Sequence, residues 1–313
     1  MDPLPILLDG DPGHDDAIAW VLAKSRPELD ILSVTACGGN QTIEKTTHNA
    51  ARVMALIDLD APFAAGRARP LCSEPMTAPN IHGQTGLDGP KLPDPLKAPD
   101  PIGAPALMAR IIDAEDRAVT LVPTGPLTNI AALLKLYPRV MPKIERISLM
   151  GGGIAHGNWT PAAEFNILVD PEAADIVFSS GIPITMAGLD VTEQALVFPE
   201  DIRRIRAVDN PVARVVAGWL DFFYTFHRSL GYPGAPLHDA VAVLALVRPD
   251  LLTAKSIRVD IETGGDYCRG MTIGDVLGTT ERPPNVRWIC DIDRRAFIDV
   301  IVEACESYGG EHR

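Results

Sequence analysis

"PILLDGDPGHDDAIAW", residues 5 to 20, runs from a short apolar segment into four aspartates within eight positions (Asp9, Asp11, Asp15, Asp16) and then into the start of a helix. The apolar run ahead of Asp9 has the length of one buried strand. A second such run, "LDILSVTAC" (29–37), follows the helical stretch, and strand, helix, strand is the βαβ unit. Runs of the same kind recur in "RAVTLVPTG" (117–125), "IERISLMGGG" (144–153) and "IPITMAG" (182–188). They are apolar at successive positions rather than at every second one, which is the pattern of strands covered on both faces. Between them, Ile43, Thr47, Ala50, Val53, Met54 and Ile57 keep a period close to 3.6. The pattern predicts an α/β fold: a mostly parallel, Rossmann-like central sheet flanked by helices. The C-terminal third holds an aromatic-rich helix at 212–228, a helix begun by "HDAVAVLALV", and strands near 256–262 and 286–291. It fits either a cap or a continuation of the sheet.

In such sheets the ligand crevice lies beyond the carboxyl ends of the strands. Asp9 and Asp11 end the first strand, Asn40 of "CGGN" ends the second, "PTGPLTN" from Pro123 follows another, and "MGGG" from Met150 a further one. These ends are expected to line one crevice. The segment 66–102, rich in Pro and Gly and containing "NIHGQTGLDGP", has no clear periodicity and reads as a functional loop or lid.

The 313 residues are 46% hydrophobic and carry a formal net charge of −13, ample for a large core and unsuited to a polyanion such as DNA or RNA. A neutral or cationic small molecule fits that balance better. Five cysteines without a CxxC read as reduced thiols of a cytoplasmic protein. Neither a signal peptide nor a membrane span is expected, because the first apolar stretch is only "ILL" and no basic segment precedes it.

Carboxylates packed this closely repel one another and stay protonated unless a cation joins them. Oxygen ligands without a cluster of His or Cys point to Ca²⁺ or Mg²⁺ rather than zinc. An EF-hand is excluded by spacing, since positions five, six and twelve counted from Asp9 are Gly13, His14 and Trp20. Asp15 and Asp16 on their own could simply complement a helix dipole. The Asp9-x-Asp11 pair also has the spacing of an aspartate-based, Mg²⁺-dependent phosphohydrolase with Asp9 as nucleophile, although no lysine at a strand end is ready to hold a phosphoryl group. Further along, "NWTPAAEFNILVD" (158–170) sets Asn158, Glu164 and Asn166 beside Trp159 and Phe165, a grouping suited to gripping sugar hydroxyls or, more plainly, to satisfying loop backbone. His238 and His82, each taken alone, read equally well as packed histidines.

"DGDPGHDDAIAW" resembles the "DxDPGxDDAxA" signature of the nucleoside hydrolases, in particular the inosine-uridine preferring group. The likeness continues in order through "GGNQT", "IHGQTG", "LVPTGPLTNIA", "LMGGG", "AEFNILVDPEAA" and "HDAVAV", over about residues 5–300. It implies one nucleoside hydrolase domain over 1–313 and hydrolysis of the N-glycosidic bond of a ribonucleoside. It further implies Ca²⁺ held by Asp11, Asp16, the carbonyl of Thr124 and Asp239, with Asp11 also the base toward the attacking water. Asp15, Asn40, Met150, Asn158, Glu164 and Asn166 would hold the ribose, His238 would protonate the departing base, His82 would lie near that base, and Asp9 would back the metal site. A homo-oligomer, tetramer or dimer, is implied as well. The physical chemistry agrees: Ca²⁺ takes about six to eight oxygens, leaving room for a water and two ribose hydroxyls, and a negative pocket favours an oxocarbenium-like transition state. A histidine near its ordinary pKa of about 6.5 would serve the leaving group. Which of Tyr224, His227, Arg228 and Tyr232 meets the base is left open by the sequence.

Overall fold

The computed structural model describes residues 2–309. Its first strand, β1 (Leu4–Gly10), is buried from Pro5 onward, which is why the sequence ahead of Asp9 is apolar without interruption. Around it stand β2 (Leu29–Ala36), β3 (Phe63–Ala65), β4 (Val119–Pro123), β5 (Ile144–Met150) and β6 (Ile184–Ala187). A short ribbon, β7 (Leu196–Val197) with β8 (Ala235–Pro236), precedes β9 (Leu252–Ile261), β10 (Thr272–Asp275) and β11 (Val286–Ile292). The nine-stranded sheet runs β10-β9-β11-β6-β5-β4-β1-β2-β3. Every neighbouring pair from β3 to β11 is parallel, and β9 and β10 add an antiparallel edge. The mostly parallel α/β expectation holds, and β9 to β11 make the C-terminal third a continuation of the sheet.

Apolar layers cover both faces. Trp20, Trp219, Phe223 and Phe297 pack on one, Met108, Ile130, Leu133 and Phe178 on the other. Because the chain begins in the middle of the sheet, β1 is flanked by β2 on one side and β4 on the other. The strand order therefore reverses at β1, and helices leaving on opposite faces open a crevice at its carboxyl end. Two helices aim their N-termini there: His14–Lys24, which follows β1 after three residues, and His238–Val247, buried over its first eight residues. Among the described residues no helix is long and apolar enough to cross a membrane.

Candidate active site

The carboxyl ends of β1, β2, β4 and β5 converge on a cavity of about 310 Å³. Asp15, Asn40, His82, Thr124, Met150, Asn158, Glu164, Asn166, His238 and Asp239 all line it. Asp11 and Asp16 do not; they lie fully buried beneath its floor. Asp15, Asp16 and Asp239 each bring a carboxylate oxygen within 4.8 Å of the other two. Asp239 reaches this point from the first turn of its helix, over two hundred residues from Asp15, because that helix packs against His14–Lys24.

Asp11 is held from several sides. Its Oδ2 accepts from the Asn40 backbone N–H at 2.5 Å, and the Asn40 side-chain amide donates to the Asp11 carbonyl at 3.2 Å. A Cβ at Gly39 or Gly125 would run into the Asp11 carboxylate, so the two turns can close on it only as glycines. Asp16 accepts from the Gly13 N–H at 3.0 Å and from the Thr124 hydroxyl at 2.7 Å. Asp9 points away from the cavity: its Oδ1 accepts from Thr35 Oγ1 at 2.6 Å and from the Asn129 amide at 2.8 Å.

No Lys or Arg pairs with any of these carboxylates among the described residues. Burial pushes Asp9 up to about 7, and burial followed by the Asp16 charge pushes Asp15 up to about 8. Asp11 and Asp239 are raised for the same two reasons, with Asp16 and Asp15 the respective leading neighbours. Asp11 Oδ1 and Asp15 Oδ1 are buried without a hydrogen-bond partner. Unpartnered anionic oxygens crowded at one point, with no side-chain cation, are the donor set of a hard divalent ion, whose charge reverses the repulsion. The residues fit such a group.

The wall opposite in chemistry to this floor is amide-rich. Glu164 caps the helix Phe165–Val169 through the N–H groups of Asn166 (2.9 Å) and Ile167 (3.1 Å), and also accepts from Gly152 N–H at 2.9 Å. Asn158 Oδ1 accepts from Phe165 N–H at 3.0 Å, leaving its N–H₂ for a ligand. Asn166 donates to the Thr124 carbonyl at 2.8 Å, leaving its own Oδ1. The side chains of this segment thus satisfy the loop backbone and keep spare polar atoms on the cavity wall.

The far end is aromatic. Phe223, Phe226, His227 and Leu230 line it from the helix Pro211–Ser229 and its end, together with Tyr232, Trp159 and Phe165. Of the four residues the sequence left open, His227 and Tyr232 reach the cavity, while Tyr224 packs against the core and Arg228 is exposed. Phe223, Phe226, His227 and Leu230 recur at i, i+3, i+4 and i+7, so the helical period was the signal that could have picked them out.

His238 Nδ1 lies 2.7 Å from Thr192 Oγ1. Burial, then His227, lowers His238 to about 3, so the ring is neutral, unlike the expectation of titration near 6.5. A Thr192 hydroxyl that donates to Nδ1 leaves Nε2 of the neutral ring as an N–H. His82 packs against His14, a residue the sequence reading did not single out. His14 Nε2 donates to the Asp88 carbonyl at 2.8 Å, and His82 Nδ1 lies 3.2 Å from His14 Nδ1 and 3.4 Å from the His14 backbone N–H, which donates to it. Burial, which lowers His14 to about 4, keeps that pair neutral. The segment 66–102 supplies His82 from the short helix Pro79–His82, along with Ala78 and Ile81.

A family model described as inosine-uridine preferring nucleoside hydrolase matches residues 6–299. The pyrimidine-specific ribonucleoside hydrolase RihA of Shewanella woodyi is 54% identical over 307 residues, covering 97% of this chain and 98% of that protein. RihA of Photobacterium profundum is 52% identical, with 97% and 99% covered. Among solved structures, a purine-preferring ribonucleoside hydrolase from Gardnerella vaginalis superposes with a TM-score of 0.91 at 30% identity, covering 98% of this chain and all of that one. A plant nucleoside hydrolase, PpNRh1, gives 0.89 at 30% identity, with 97% and 99% covered.

Proposed function

The chain belongs to the inosine-uridine preferring nucleoside hydrolase family, a ribonucleoside hydrolase acting on N-glycosyl compounds, and from this we propose Ca²⁺-dependent hydrolysis of pyrimidine ribonucleosides to ribose and free base. The observation that carries the proposal is the division of the cavity: a carboxylate floor with unpartnered oxygens, amide and carboxylate walls, and an aromatic end with His82 and His238. The pyrimidine preference rests on the relatives above 50% identity, which are named for it.

In this reading Asp11, Asp16, the Thr124 carbonyl and Asp239 hold the ion. When bound, Ca²⁺ would supply a Lewis-acid centre that acidifies water and fixes the two cis hydroxyls of ribose. Asp15, on the cavity face of the cluster, accepts from a ribose hydroxyl; Glu164 and Asn166 Oδ1 accept from others, Asn158 donates its amide, and Met150 packs on the sugar. Asn40 fixes Asp11, whose free Oδ1 takes the proton of the attacking water. As the glycosidic bond breaks, positive charge grows on the sugar above buried carboxylates, which stabilise that state more than the neutral substrate. His238 gives the Nε2 proton toward the departing base, and His82 lies near it. We read the protein as a cytoplasmic homo-oligomer, tetramer or dimer, serving nucleoside catabolism and salvage.

The phosphohydrolase alternative loses its nucleophile in this geometry. Asp9 accepts from Thr35 and Asn129 and is not part of the cavity lining, and among the described residues no Lys or Arg lines the cavity to receive a phosphate. Incubation with uridine, cytidine and inosine, with and without chelator, should release reducing sugar fastest from the pyrimidine nucleosides and only in the metal-replete samples. Phosphate release from phosphomonoesters, with no ribose from any nucleoside, would overturn the proposal.

A further inference from the structure

The ribose chemistry leaves one cavity carboxylate unused. Glu193 directly follows Thr192, lines the cavity, and has a side chain only 21% exposed. Its Oε1 accepts from the Tyr232 hydroxyl at 2.9 Å, and its Oε2 from His156 Nε2 at 3.1 Å. These partners come from separate loops, the one following β5 and the one between the helix Pro211–Ser229 and β8. The Tyr232 ring meets His227 edge-on at 5.6 Å, and the His227 ring centroid is 6.4 Å from that of His238. Glu193 thus belongs to the end of the cavity where the leaving base sits, not to the carboxylate floor.

We propose that Glu193 determines specificity among pyrimidines by accepting an N–H from the edge of the base remote from the sugar, favouring a 4-amino over a 4-oxo ring. The inference rests on the nucleoside hydrolase reading given above. An ionised carboxylate has about four lone-pair directions, and two of these are taken by Tyr232 and His156. One direction on each oxygen is left over. In a pyrimidine riboside the C4 substituent lies across the ring from the N1–ribose bond, so with the sugar on the floor it reaches furthest toward this end. In cytosine that group is an N–H₂, which forms a charge-assisted bond to a carboxylate. In uracil it is a carbonyl, whose lone pairs would face those of Glu193. Two donors beside it, the Tyr232 hydroxyl and the His156 ring N–H, are turned onto Glu193 and not toward a carbonyl. Among the described residues no Lys or Arg lines the cavity to reverse the preference.

The test compares kcat/KM for cytidine and uridine in the wild-type protein, Glu193→Gln and Tyr232→Phe. Wild type should favour cytidine by about tenfold or more, in line with the rejection of an analogue that leaves a built polar contact unpaired. Glu193→Gln keeps the shape and the Tyr232 bond but can turn an N–H₂ toward the base, so the ratio should fall about tenfold or invert. Tyr232→Phe keeps the carboxylate and should keep the cytidine preference. No cytidine preference in wild type, or a ratio in Glu193→Gln within twofold of wild type, overturns the inference while the hydrolase reading stands. Failure of ribose release from both nucleosides overturns the hydrolase reading and this inference with it.

Discussion

The two ends of the cavity are built by different means. The carboxylate floor stands on the carboxyl ends of parallel strands and on the first turns of two buried helices, and backbone N–H groups hold two of its carboxylates, Asn40 on Asp11 and Gly13 on Asp16. The aromatic end stands on one face of a single helix and on loops, and its polar atoms are oriented side chain to side chain: Thr192 on His238, His14 on His82, Glu193 on Tyr232. Rigid backbone placement suits a metal and a ribose, which make the same demands in every substrate. Side-chain placement suits a base, where a family must vary.

The sharpest way to break this contrast is at Asp11. Asp11→Asn is isosteric, and the Asn40 contacts can still hold it, so nucleoside binding should survive while kcat falls by about 10³-fold or more through loss of the proton acceptor. Steady-state kinetics checks this; a fall confined to KM would place Asp11 in binding alone.

A smaller and more selective effect is expected at the aromatic end. His238→Ala should lower kcat/KM for uridine by about 10²-fold yet spare an activated aryl riboside, whose leaving group needs no proton. Thr192→Val should reproduce that selectivity at roughly tenfold, because the ring keeps its place but loses the donor that fixes its tautomer, and Thr192→Ser should restore activity. Equal losses on both substrates would remove His238 from the leaving-group role.

The same contrast explains what could be read from the sequence. Five strands of the sheet were visible as runs rich in apolar residues, as strands covered on both faces are, and Ser33, Thr35, Thr120 and Ser148, polar residues buried within them, are small. Asp11, Asp15 and Asp16 were visible as a local excess of charge, and Asn158, Glu164 and Asn166 as a polar cluster beside aromatics. Asp239 and His238 looked like the start of an ordinary buried helix, and only the motif series singled them out. Thr192, Glu193 and His156 carry no local signal at all: each acts through a partner at least 37 positions away, and such pairings exist only once the chain has folded. The pairing of His82 with His14 was likewise unreadable, since the two residues are 68 positions apart.

The least conspicuous expected effect concerns stability, and it distinguishes the two ends without any substrate. Asp9 and Asp15 rise in the folded protein to about 7 and about 8 from an ordinary 3.8, chiefly through burial. Between the ordinary value and those raised ones the unfolded chain has released its protons while the folded chain keeps them. The unfolded state then binds fewer protons, so stability falls as pH rises. Metal-free protein should accordingly melt at progressively lower temperature from about pH 6.5 to pH 8, above the ordinary histidine range, where the buried neutral His14 and His238 no longer add stability with rising pH, and the loss is complete once both carboxyls are ionised. Added Ca²⁺ should flatten the profile, because a cation among the carboxylates favours their charged forms. Asp15→Asn should remove part of the slope in metal-free protein, whereas Glu193→Gln, at the other end of the cavity, should leave the slope as it is. Thermal melts across that range, with and without Ca²⁺, check the sign: stability that rises with pH in the metal-free protein would mean that the floor already holds its charges by some other means.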